Sequence, residues 1–97
     1  MTPSLEELRT QIDDVDRRII TLLAERAGYV TQVGEIKNSD EEIIAADRQR
    51  QVYQTRREWA VDAGVDSDFV EHLYREIVGY FIEQERQQLA ARQNRQK

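Results

Sequence analysis

Four basic side chains lie on or beside apolar helix faces in this sequence: Arg9, Arg26, Lys37 and Arg48. Most charges on a helix lie in solvent, and a lone arginine or lysine can extend its stem over an apolar face into water. Arg26 is different because it interrupts an apolar seam, and a buried guanidinium needs anionic partners. If helix packing brings the four cations to one cavity, they would bind a small ligand with more than one negative charge, through guanidinium–carboxylate pairs.

The seam that contains Arg26 is a long stripe near the start of the chain. Its alternating spacing of three and four residues is typical of one continuous amphipathic helix. The members are Leu5, Leu8, Ile12, Val15, Ile19, Leu22, Arg26, Tyr29, Val33 and Ile36. Ser4 and Glu7 fit a capping box at its start. We therefore predict a helix from about Ser4 to about Lys37, ~50 Å long.

A second helix is predicted after a short polar break. Ser39 and Glu42 fit another capping box. This helix should run from about Asp40 or Ile43 to Ala63. The glycine that follows can adopt the left-handed conformation that commonly ends a helix.

A third helix is expected to begin at a cap formed by Asp66 or Ser67. Its apolar stripe thins from Gln84 onward, so we expect residues from about 90 to 97 to fray. The predicted fold class is all-α, with three helices per chain, one long and two shorter. The length of the chain allows a single domain spanning residues 1–97.

Two shorter helices cannot cover the whole of the first one. Apolar side chains near its start would therefore remain exposed in a single chain, which indicates that they pack against a second copy of the protein. These side chains are Leu5, Leu8, Ile12 and Val15. The expected assembly is a homodimer.

The composition argues against several classes of function. There is no cysteine and only one histidine, His72, so thiolate and histidine-cluster metal sites are excluded, and no metal or other cofactor is expected. A net charge of −5 argues against a nucleic-acid partner. The sequence lacks a membrane-spanning apolar run and a signal peptide, so we expect a cytoplasmic protein with no membrane partner.

Several short segments resemble the all-helical chorismate mutase family. They are Leu8-Arg9 with Ile12-Asp13 and Asp16, Leu22 to Arg26, Val33-Gly34 with Lys37, and Asp47-Arg48. The resemblance extends to about Leu89, and the spacing of the four cations is its most specific part. The branch containing isochorismate pyruvate lyases is the most similar one, through Ile43 to Arg48, Arg57 to Ala60 and Gly64 to Val70.

The resemblance implies an intertwined homodimer with two equivalent active sites. Arg26 and Arg48 would hold substrate carboxylates within one protomer, while Arg9 would reach the site from the partner. Lys37 would donate to the ether oxygen, which gains negative charge as its bond to the enolpyruvyl carbon breaks. Such a pericyclic reaction needs no nucleophile, acid or base, only a reactive conformer and donors placed where charge develops.

Two positions depart from the family pattern. The mutases usually carry a glutamate after the Asp-Arg pair that contacts the ring hydroxyl, and this chain has Gln49. Many members carry a late glutamine that donates to the ether oxygen, and the helix register aligns Glu85 there rather than Gln84. An ionised Glu85 would repel the developing anion, so it must carry a proton to assist; alternatively, it is a surface residue near the helix end.

The leading hypothesis is a chorismate mutase, which converts dianionic chorismate to prephenate at the head of phenylalanine and tyrosine synthesis. Lys37, Glu85 and Arg26 are the candidate catalytic residues. Isochorismate pyruvate lyase, which forms salicylate and pyruvate, is the alternative. A 4-amino-4-deoxychorismate mutase stays open because Gln49 could meet an amino group. The non-enzyme alternative is a helical dimerisation module, in which the cations pair with carboxylates of the partner.

Overall fold

The computed structural model describes residues 2–95, in which all regular structure is helical. Four helices follow one another: α1 (Leu5–Ile36), α2 (Asp40–Ile44), α3 (Ala46–Ala63) and α4 (Ser67–Arg95). This confirms the all-α class for the described residues. None of these helices is both long and apolar enough to cross a membrane.

The predicted helix ends depend on local caps that the structure contains. The Ser4 side chain accepts a hydrogen bond from the Glu7 amide at 3.1 Å, and Ser39 accepts one from Glu42 at 3.2 Å. Asp66 accepts one from the amide of Phe69 at 3.0 Å. Each cap satisfies an amide that has no partner within the first turn of its helix.

The turn between α3 and α4 depends on Gly64. This residue has φ 76°, in the left-handed region that glycine adopts without steric cost. Its amide donates to the Val61 carbonyl at 3.1 Å, and the Val65 amide donates to Ala60 at 2.8 Å. These two bonds form a Schellman motif, which confirms the predicted end of the helix.

The prediction of one uninterrupted second helix is wrong, because Ala45 divides it into α2 and α3. Ala45 has φ 43°, and among the described residues it is the one non-glycine with positive φ. The break allows α2 to turn toward α4, where Ile43 is buried. The side-chain amide of Gln49 donates to the Ile44 carbonyl at 2.7 Å, so this carbonyl keeps a partner at the break.

The predicted third helix is longer than expected. Helix α4 has 29 residues against 32 in α1, and it stays helical through Arg95 instead of fraying from about residue 90. Its last turns make tertiary contacts, since Leu89 is buried and Arg92 donates to carbonyls at the end of α1. Residues 96 and 97, which fall in the same prediction, lie outside the described residues.

The N-terminal half of α1 projects away from the rest of the chain. The molecule measures 66 × 26 × 15 Å, and every residue from 2 to 22 is exposed. Leu5 and Ile12 are 63% and 57% exposed, values far from those of core residues. Only the later part of α1 packs on the other helices, and it is this part that contributes to the site.

Candidate active site

A cavity lies where the later part of α1, the α2–α3 junction and α4 meet. Its volume is about 200 Å³, below the ~300 Å³ typical of sites for drug-sized ligands. Apolar side chains form most of its wall. The charged and amide side chains that line it are Arg26, Lys37, Arg48, Gln49 and Glu85.

Lys37 enters the cavity from the end of α1. It is the C-cap residue, and its ψ of 139° directs the chain away from the helix axis. The ammonium donates to the Ile43 carbonyl at 3.3 Å and lies 3.1 Å from Oε2 of Glu85. The break at Ala45 and the packing of α2 therefore decide which carbonyl Lys37 meets.

Glu85 faces Lys37 from α4. It shares the buried face of that helix with Val78 and Leu89, and it is only 7% exposed. The ammonium contacts Oε2 as an ion pair, without hydrogen-bond alignment, so this oxygen keeps hydrogen-bonding capacity. Gln84 is exposed and does not line the cavity, as a rotation of about 100° per residue predicts.

Arg26 lines the cavity from α1, with its guanidinium carbon 5.2 Å from the centre of the Phe81 ring. Its Nη1 is buried and has no hydrogen-bond partner among the described residues. Burial lowers the pKa of the Arg26 guanidinium below its ordinary value; Tyr74 opposes this shift, while Arg56 and Arg48 add to it. An anionic ligand would supply the acceptor that Nη1 lacks, and it would offset the positive charge of the neighbouring arginines.

Arg48 and Gln49 begin the wall formed by α3. The Arg48 guanidinium is exposed and donates to Oε1 of Gln51 at 2.6 Å, so it reaches the cavity from its rim. The amide of Gln49 is engaged on both sides, because it donates to Ile44 and its oxygen accepts from the Tyr53 hydroxyl at 3.4 Å. Gln49 thus supports the α2–α3 break while it lines the cavity.

The structure brings five of the six predicted site residues together and leaves Arg9 apart. Arg9 lies exposed on the projecting half of α1, outside the cavity lining of its own chain.

The sequence did not single out Arg56, whose guanidinium lies 4.5 Å from the Trp59 ring and beside Arg26. The three-residue spacing of Arg56 and Trp59 on one helix was the available signal, because side chains so spaced are neighbours.

Comparison with known proteins places this arrangement in a family. The family model described as chorismate mutase type II matches residues 8–86. The T-protein of Haemophilus influenzae is 37% identical over 76 residues, which are 77% of this chain and 20% of that protein. The isochorismate pyruvate lyase of Pseudomonas aeruginosa is 33% identical over 78 residues, 80% of this chain and 77% of that protein.

A chorismate mutase of Methanocaldococcus jannaschii is 29% identical over 98 residues, covering 100% of this chain and 99% of that protein. The chain therefore spans about a fifth of the T-protein and nearly all of this mutase. The extent of the family match, together with the all-helical fold, confirms the resemblance found in the sequence. The chain belongs to the chorismate mutase type II family.

Proposed function

We propose that this protein is a chorismate mutase, which rearranges chorismate to prephenate. The observation that carries the proposal is the convergence of Arg26, Lys37 and Arg48 on one small, mainly apolar cavity. A small dicarboxylate matches the charge of this cavity, and the modest volume favours a ligand smaller than a typical drug-sized molecule. The relatives described above include a mutase of nearly the same length.

The proposed mechanism uses binding and electrostatics alone. Arg26 and Arg48 each pair with one substrate carboxylate and hold the enolpyruvyl side chain over the ring. In this conformer the ether C–O bond breaks as the new C–C bond forms, so no group or proton leaves the substrate. Lys37 donates to the ether oxygen as negative charge develops there.

Glu85 takes part as a neutral acid. The carboxyl lies beside Lys37, so an ionised Glu85 would draw the ammonium toward itself and repel the ether oxygen. When Glu85 carries a proton, it can donate to the same oxygen as Lys37. The proposed active form is therefore the protonated one.

The active protein is proposed to be an intertwined homodimer in which Arg9 completes the partner's site. The support is the exposed apolar stripe along the first half of α1, which a single chain leaves uncovered. Packing two such helices together would bury both stripes and bring each Arg9 close to the partner protomer. Arg9 would then supply a third arginine to the bound dianion.

Isochorismate pyruvate lyase is the second candidate, favoured by the state of Gln49. Gln49 supplies an amide where the mutases usually carry a carboxylate for the ring hydroxyl, and this amide is already bonded to Ile44 and Tyr53. A lyase also breaks the ether bond, but a ring hydrogen moves to the enolpyruvyl methylene, giving salicylate and pyruvate. The same cations would serve that reaction.

The deciding experiment is incubation of the purified protein with chorismate and, separately, with isochorismate. Loss of chorismate with formation of prephenate supports the mutase, whereas loss of isochorismate with formation of salicylate supports the lyase. A Lys37→Ala preparation, purified in the same way, controls for contaminating host mutase. Turnover of neither substrate contradicts both proposals and leaves the amino analogue or a dimerisation module.

A further inference from the structure

The end of α1 is held by a side chain from the far end of α4. Arg92 donates through Nη1 to the Glu35 carbonyl at 2.8 Å and to Gly34 at 3.4 Å, and through Nη2 to the Lys37 carbonyl at 2.6 Å. The last carbonyls of a helix have no partners within it, and α1 has no basic residue in its own last turn. Arg92 supplies both the missing donors and the favourable charge.

The residue held most closely by this arrangement is Lys37. Its amide donates to the Val33 carbonyl at 3.2 Å, and its carbonyl accepts from Arg92. Both ends of its main-chain unit are therefore tied, at the point where the chain leaves the helix. The ammonium reaches Ile43 and Glu85 from this fixed main chain, so a shift of the main chain would move the ammonium as well.

Arg92 lies on the same face of α4 as Glu85. Gln88, one turn before Arg92, donates to the Thr31 carbonyl at 3.1 Å. The helices approach closely at Gly34, where an added Cβ would require the end of the Gln88 side chain to shift. Residues spaced by three and four along α4 therefore fix both the main chain and the charged end of Lys37.

We propose that Arg92 is a positioning residue for Lys37, holding the ammonium at the cavity through the main chain at the end of α1. Arg92 does not line the cavity, and it lies beyond residue 86, where the family match ends. The catalytic part of this inference rests on the proposed function of Lys37. The structural part, the immobilisation of Lys37, does not depend on it.

The kinetic test compares Arg92→Ala, Arg92→Lys and the control Arg95→Ala, which removes an exposed arginine in the same last turn of α4. Arg92→Ala should lower kcat about tenfold or more with little change in KM, because misplacing a donor affects the transition state more than binding. Arg92→Lys should keep part of the kcat that Arg92→Ala loses, since an ammonium can bond one carbonyl but lacks the planar set of donors with which a guanidinium bonds several. Arg95→Ala should match the parent.

A double-variant comparison separates positioning from a general loss of structure. In a Lys37→Ala background, Arg92→Ala should cause little further loss of kcat, because the group that it positions is gone. A loss of the same size in both backgrounds overturns the proposal. Circular dichroism must show each variant folded at the assay temperature, and Arg92→Lys serves if Arg92→Ala does not fold.

A second measurement reads the position of Lys37 without any substrate. The chain contains two lysines, Lys37 and Lys97, so protein labelled with ε-¹³C-lysine gives two assignable NMR signals, with Lys97→Arg identifying them. The Lys37 methylene should show two inequivalent protons in the parent and collapse to one averaged signal in Arg92→Ala. An unchanged signal in folded Arg92→Ala overturns the proposed positioning of Lys37 by Arg92. If the signal collapses in Arg92→Ala but the parent turns over no substrate, only the proposed function is contradicted.

Discussion

The ammonium of Lys37 and the carboxyl of Glu85 lie 3.1 Å apart across the cavity, one from the end of α1 and one from the buried face of α4. The cation proposed to stabilise the breaking bond is thus engaged by an acidic side chain of its own protein. A bound dianion must therefore compete with Glu85 for Lys37, or bind when Glu85 is neutral.

Replacing Lys37 by alanine should lower kcat by about 100-fold or more, because one preorganised donor to a developing anion commonly contributes that much. Steady-state formation of prephenate measures the effect. Asp14→Ala, which removes an exposed charge on the same helix, is the matched control and should change kcat less than about twofold. Losses of similar size in the two variants would argue against the cavity as the active site.

The rate should rise as the pH falls, because only a neutral Glu85 can donate to the ether oxygen and release Lys37 from the ion pair. The amide of Glu85→Gln donates at every pH, so the kcat/KM of this variant should be independent of pH over the range in which the rate of the parent changes. Gln84→Ala, at the exposed neighbouring position, should keep the profile of the parent. A flat profile in the parent protein would contradict this role of Glu85.

Mixing an Arg9→Ala chain with a Lys37→Ala chain should restore activity, because each heterodimer combines the intact Lys37 of one chain with the intact Arg9 of the other. After full exchange at equal concentrations, about a quarter of the sites should be intact, since half of the dimers are mixed and each has one such site. Native mass spectrometry verifies the exchange. Verified heterodimers without activity would mean that Arg9 does not cross to the partner.

The free energy of unfolding should decrease in acid through Glu71. Its hydrogen bond to Arg75, at 2.9 Å, and the nearby Arg57 hold the pKa of the carboxyl below its ordinary value. A lowered pKa in the folded state stabilises the protein above the unfolded-state pKa of about 4.3, and this contribution is lost as the pH falls through the lowered value.

Urea unfolding of the parent and of Glu71→Gln between pH 7 and pH 3 measures this effect. The amide does not titrate, so the difference in stability between the two proteins should shrink below about pH 4.3. Glu76→Gln, an exposed substitution on the same helix, provides the control. A difference that stays constant with pH would contradict the ionic contribution of Glu71.

Two glycines of α1 should respond differently to alanine. Gly28 has open space where a Cβ would lie, so Gly28→Ala should raise the free energy of unfolding by up to about 1 kcal/mol through helix propensity. Gly34→Ala gains the same propensity but must displace the Gln88 amide and its bond to Thr31, so it should be less stable than Gly28→Ala. Thermal unfolding of the two variants measures the difference, and equal gains would mean that Gln88 gives up its bond to Thr31 at no cost to stability.

Local features of this fold were predictable because they depend on residues close together in the chain. The caps at Ser4, Ser39 and Asp66 join groups three residues apart, and Gly64 ends a helix through bonds within its own turn. The orientation of Glu85 also follows from helix geometry, because the apolar stripe defines the buried face of α4.

The sequence by itself determined the helical class, the family and the cations that the site would use, since periodicity, capping and spacing are properties of short segments. The tertiary structure alone decided the left-handed break at Ala45, which an alanine does not signal and which the packing of Ile43 on α4 accompanies. It also decided the hold of Arg92 on the end of α1, because a bond between residues so far apart depends on how two helices dock. Local pattern thus selects the helices, and their packing selects which atoms meet.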